Sequence, residues 1–85
     1  MPEIARFLGI VILMYWKDHN PPHFHARYAD YEIAVALDGA ILDGKFPPRA
    51  KRLVIEWLDL HREELLANWL RASRGEALQM IESLE

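Results

Sequence analysis

The chain has 85 residues, an apolar fraction of 52% and a formal net charge of −3, enough for one small domain with a modest core. It has no cysteine, so disulfides and thiolate metal sites are excluded. The acidic balance argues against strong non-specific nucleic-acid binding, which normally needs a clearly basic domain. Any electrostatic recognition must therefore come from a local patch.

Residues 3–7 alternate polar and apolar and predict a strand, with a bend at Gly9. Ile10 to Trp16 carries no polar side chain other than the Tyr15 hydroxyl and predicts a central strand buried on both faces. The surrounding apolar run, from Phe7, is about half the roughly 20 residues needed to cross a bilayer. With no signal-peptide pattern at the N-terminus, the expectation is a cytoplasmic protein.

Next comes Asp18-His19-Asn20-Pro21-Pro22-His23-Phe24-His25, which holds three of the four histidines. From residue 23 the pattern alternates: Phe24, Ala26 and Tyr28 on one face, His23, His25 and Arg27 on the other. Ala29-Asp30 predicts a turn, residues 31–37 a strand, Asp38-Gly39 a hairpin turn, and residues 40–42 a short strand. Asp43-Gly44 predicts a second turn or bulge.

Pro47-Pro48 marks a change of period, since proline suits the first turn of a helix. Ala50, Leu53, Val54, Trp57 and Leu58 then form one apolar stripe at helical spacing. The stripe breaks at His61 and Glu64 and resumes out of phase at Leu65, Leu66, Trp69 and Leu70. That predicts two helices, or one kinked near Asp59 to His61, with Asp59 as a candidate cap of the second and Gly75 as the stop. Leu78, Met80, Ile81 and Leu84 are apolar enough to predict a docked tail. The expected fold is α+β over residues 1–85: an antiparallel meander of four to five strands, then two helices packed on one face.

Two constellations bear on function. His23 and His25 at i, i+2 can act as a general acid and base or as two metal ligands, with His19 as a third around zinc. The alternative is that these rings serve only packing or contact a partner. Arg27 and Lys17 beside them, and Arg49, Lys51 and Arg52 in the first helical turn, are candidate phosphate or partner contacts. Cations there oppose the helix dipole, so their placement calls for an acidic ligand or a tolerant solvated face.

The segments Met-Pro-Glu-Ile with Arg6-Phe7, Gly9-Ile10-Val11-Ile12, and Asp18 through Ala26 together resemble the DUF4160 family. So do Leu42-Asp43-Gly44-Lys45, Pro47-Pro48-Arg49-Ala50, Trp57 with Leu60-His61 and Glu64-Leu65, and Asn68-Trp69. The resemblance implies a small bacterial protein, encoded beside a DUF2442-like partner in a toxin–antitoxin-type layout. On that reading the chain is the toxin-side component, an RNA-binding or metal-independent ribonuclease-like protein without cofactor. A non-enzymatic interaction module and a His-based metal protein carrying a divalent ion such as zinc are the alternatives.

Overall fold

A computed structural model describes residues 2–84. Five strands, β1 (Glu3–Phe7), β2 (Ile10–Leu13), β3 (His23–Tyr28), β4 (Tyr31–Ala36) and β5 (Ile41–Lys45), precede one helix, α1 (Pro48–Ser73). The sheet is a meander in sequence order, antiparallel throughout. Leu8-Gly9 and Ala29-Asp30 turn the first and third strands back, and Leu8, Gly9 and Ala29 all take positive φ. The Asp38-Gly39 turn is closed by Ala36 N–H donating to the Ala40 carbonyl at 2.8 Å.

Three expectations need correction. β2 ends at Leu13, because the chain leaves the ladder before the loop and Lys17, at φ 54, donates its N–H to the Ala72 carbonyl. At Asp43-Gly44 the bulge alternative holds and the turn does not: β5 runs through it, paired Ile33↔Gly44 and Ala34↔Asp43, and the register then shifts to Val35↔Ile41, leaving Leu42 as the extra residue. The backbones approach so closely there that a Cβ on Gly44 would collide with the Glu32 carbonyl oxygen. Only glycine fits this crossing.

The third correction concerns the helices. There is one helix, kinked at His61, so the kinked alternative holds and the two-helix one does not. His61 alone leaves the helical region (φ −127, ψ 23), and the helix continues on either side of it. One residue out of register rotates the apolar stripe without ending the helix, which accounts for the phase shift in the sequence. Asp59 does not cap a second helix; its carboxylate receives Arg62 Nη2 instead. The C-terminus behaves as expected. Gly75 at φ 71 follows the Arg74 cap, and Glu76 N–H returns to the Arg71 carbonyl.

Ile12, Phe24, Ala26, Ile33 and Val35 from the sheet meet Val54, Trp57, Leu58, Leu65 and Trp69 from α1 in one core. Each large side chain fully buried there contributes about 1.5–3 kcal/mol of transfer free energy. Trp57 sits at the middle, with ring centroids 5.6 Å from Phe7 and 5.8 Å from Phe24. In the second half of α1 the buried positions are Leu65, Asn68, Trp69 and Ala72, while Leu66 and Leu70 are exposed.

The tail is docked, although residues 76–84 form no helix or strand. Asn68, fully buried, donates to the Gln79 carbonyl at 2.8 Å and accepts from Gln79 N–H at 2.9 Å. Trp57 Nε1 donates to the Glu82 carbonyl, and Ile81 N–H to the Ile4 carbonyl. These bonds satisfy polar groups that burial would otherwise penalise. Among the described residues, no helix is long and apolar enough to cross a membrane.

Candidate functional site

The loop between β2 and β3 returns to the sheet through a cis Asn20–Pro21 bond. Asp18 lies over the start of β3, against His23 and His25. His23 is only 3% exposed, so it does not share the open polar face expected from strand alternation. Its ring lies against Trp69, with centroids 5.3 Å apart, and edge-on to His25 at 5.2 Å.

The hydrogen bonds of His23 set the roles of its two ring nitrogens. Nδ1 lies 2.7 Å from the Pro21 carbonyl, which can only accept, so Nδ1 carries a proton. Nε2 lies 3.0 Å from Asp18 Oδ2. A bare nitrogen lone pair facing a carboxylate would be repulsive. A proton or a cation between the two groups relieves that repulsion.

His25 points to the same spot. Its Nε2 is shielded from solvent and has no hydrogen-bond partner among the described residues; it lies 3.6 Å from Asp18 Oδ2. A buried polar atom without a partner costs about 1–3 kcal/mol. Asp18, His23 and His25 each offer one ligand atom, all within 4.8 Å of one another. Two ligands roughly 2.0–2.2 Å from one ion, at tetrahedral or octahedral angles, are themselves about 3 Å apart. The 3.0 Å separation matches that spacing, and the 3.6 Å one lies somewhat above it.

A second layer orients the cluster. The Pro21 carbonyl holds His23 Nδ1, and Glu32 Oε2 lies 3.7 Å from His25 Nδ1. Glu32 is in turn held by Arg27 Nε at 3.0 Å, and Arg27 Nη2 reaches the Tyr15 hydroxyl at 3.3 Å. Tyr15 packs edge-on against His25, centroids 4.9 Å apart. Outer carboxylates and carbonyls of this kind set the tautomer and tilt of ligating histidines. Burial raises the Asp18 carboxyl pKa, but the His19 N–H bond and the His23 and His19 imidazoles outweigh it. The net shift is below the ordinary aspartate value.

The predicted residues fare unevenly. His23 and His25 come together as ligand candidates. His19 does not join them: its side chain is 83% exposed, and Nε2 is 3.7 Å from the other Asp18 oxygen. Asp18 occupies the position expected for His19. The cations are not gathered around the histidines either. Lys17 is beside Gly75 at the C-terminal end of α1. Arg49, Lys51 and Arg52 sit at the opposite end, roughly 25–30 Å along the axis from Trp69 at 1.5 Å per residue. Arg49 lines a cavity with Leu8, Tyr28 and Leu53, and Lys51 one with Ile41 and Phe46. Only Arg27 lies beside the cluster. Sequence reasoning missed Asp18, Tyr15 and Glu32; the acid opening the His-Pro-Pro motif was the available signal for the first, since carboxylates commonly accompany histidines around metals.

A family model described as "Domain of unknown function (DUF4160)" matches residues 9–70. That span contains every residue of the cluster and its outer layer, and leaves β1 and the tail outside. No curated protein and no solved structure matches the chain.

Proposed function

The chain belongs to the DUF4160 family, whose description assigns no activity, and we propose from the geometry that it is a divalent-metal protein with its centre at Asp18, His23 and His25. The observation that carries this reading is the shielded His25 Nε2, which has no hydrogen-bond partner and faces the carboxylate that His23 Nε2 also faces. Two imidazoles and one carboxylate suit zinc or ferrous iron and leave coordination positions open. An ion so held can polarise an oxygen ligand or lower the pKa of bound water.

The acid–base ribonuclease reading, and with it the toxin-side role, competes for the same side chains. It needs two accessible imidazoles near cations that grip phosphate. His23 is only 3% exposed, out of reach of an RNA substrate, and the Arg49–Arg52 group is at the far end of α1, so the metal reading fits better.

The test uses protein purified without a histidine tag. Calorimetry with Zn²⁺, Co²⁺ and Fe²⁺ should give about one equivalent bound, and His25→Ala or Asp18→Ala should weaken binding at least 100-fold. If the wild-type protein binds none of these ions stoichiometrically, the proposal is wrong. RNA cleavage that persists in chelator and is lost in His25→Ala would favour the acid–base reading instead.

A further inference from the structure

Three imidazoles, not two, are arranged alike around Asp18. Each turns Nε2 towards the carboxylate: His19 at 3.7 Å from Oδ1, His23 at 3.0 Å and His25 at 3.6 Å from Oδ2. Each also sets Nδ1 against an oxygen on its outer side. For His19 that is the Asn20 carbonyl at 3.2 Å, for His23 the Pro21 carbonyl at 2.7 Å, and for His25 a Glu32 carboxylate oxygen at 3.7 Å. A carbonyl only accepts, so His19 Nδ1 carries the proton and the neutral ring keeps a bare lone pair on Nε2. That is the tautomer of a ligating histidine whose other nitrogen is held by a carbonyl. His19 differs from the other two in standing at the far oxygen of the same carboxylate.

We propose that His19 is the fourth ligand of the ion, so that the chain itself closes the centre and makes it a structural one. This rests on the metal reading of Asp18, His23 and His25, which leaves one tetrahedral position unfilled. The inner side of the cluster is walled off, with His23 buried against Trp69 and His25 Nε2 shielded. On the loop side the group already in place is His19, its ring centroid 5.4 Å from that of His23. Its side chain is exposed, so a turn about its own bonds carries Nε2 round the carboxylate without disturbing the core. Four protein ligands complete the tetrahedral shell of an ion such as zinc, the arrangement of structural rather than catalytic sites. Two of them come from the loop and two from β3, and the ion staples the loop to the strand.

The experiment titrates the full-length protein, without a histidine tag, with Co²⁺. Four-coordinate Co²⁺ absorbs visible light far more strongly than six-coordinate Co²⁺, so the band intensity reports how the shell is filled. Wild type should give the intense four-coordinate band. His19→Ala, at an exposed position where truncation removes no buried contact, should bind Co²⁺ at least about tenfold more weakly, since even an outer-layer partner costs that much. Its band should also weaken as water enters the shell. An unchanged band in His19→Ala, whatever its affinity, overturns His19 as a ligand and leaves the three-residue centre standing. A weak, water-coordinated band in wild type overturns the closed centre and again leaves the metal reading intact. Wild-type protein that binds no Co²⁺ overturns both.

Discussion

His23 and His61 have much the same immediate surroundings. Each imidazole packs on a buried tryptophan, at 5.3 Å from Trp69 and 5.5 Å from Trp57. Each also has a nitrogen against a carboxylate, 3.0 Å from Asp18 and 2.6 Å from Glu64. The difference lies in what else converges. Around Asp18 a second imidazole arrives with a shielded, unpartnered nitrogen, and a carbonyl fixes the tautomer of the first. Around His61 there is one acid, i+3 on the same helix, and the pair accompanies a local break in the helix. A histidine–carboxylate contact is ordinary; several ligand atoms aimed at one point, with an outer layer holding them, are what suggest chemistry.

Substitutions can break this contrast. The largest expected effect is on metal affinity: His25→Ala should lose at least 100-fold, about 2.7 kcal/mol, while His61→Ala should stay within twofold by calorimetry. Saturating metal should also raise the thermal midpoint of wild type, since a ligand at 100 times its Kd stabilises by about 2.7 kcal/mol. Chelator should remove that gain, and Asp18→Ala should not show it. Equal loss in the His25 and His61 variants would erase the distinction between the two corners.

Asn68→Ala tests the scaffold beneath Trp69. It should destabilise by about 1–3 kcal/mol, because the Gln79 carbonyl and N–H both lose a buried partner; denaturant unfolding measures it. The smallest effect concerns an acid outside either corner. The Arg6 hydrogen bond holds the Glu3 pKa low, against a smaller effect of burial and with the Arg6 charge adding to the lowering. A lowered folded pKa means the contribution is present above the unfolded glutamate value, about pH 4.3. It is lost as pH falls through the folded value. Being solvent-exposed, the pair contributes little, and Glu3→Gln should change the acid limb of a stability–pH profile only slightly.

Much of the fold was legible because burial imposes period. The alternation of residues 23–28 gives β3 with its observed limits, and the proline pair starts α1 at Pro48. What misled was local. Asp43-Gly44 carries turn chemistry, but its glycine serves a close crossing of two strands. Asn68 was hidden because a buried amide bonded to backbone leaves no apolar signature. The site was half legible. Two ligand candidates were readable from i, i+2 spacing, but that spacing could not show that the loop would turn His19 outward and bring Asp18 in. Nor could it show that Arg49 to Arg52 lie a helix length away, since separation in space depends on how α1 crosses the sheet.

The crossing at Gly44 also bears on how the protein behaves in concentrated solution. β5 ends the sheet and is largely exposed, the kind of border along which chains line up into aggregates. Its irregular register, with Asp43 and Lys45 on the strand, makes a poor template for another chain to copy. Straightening that border by design would put solubility at risk.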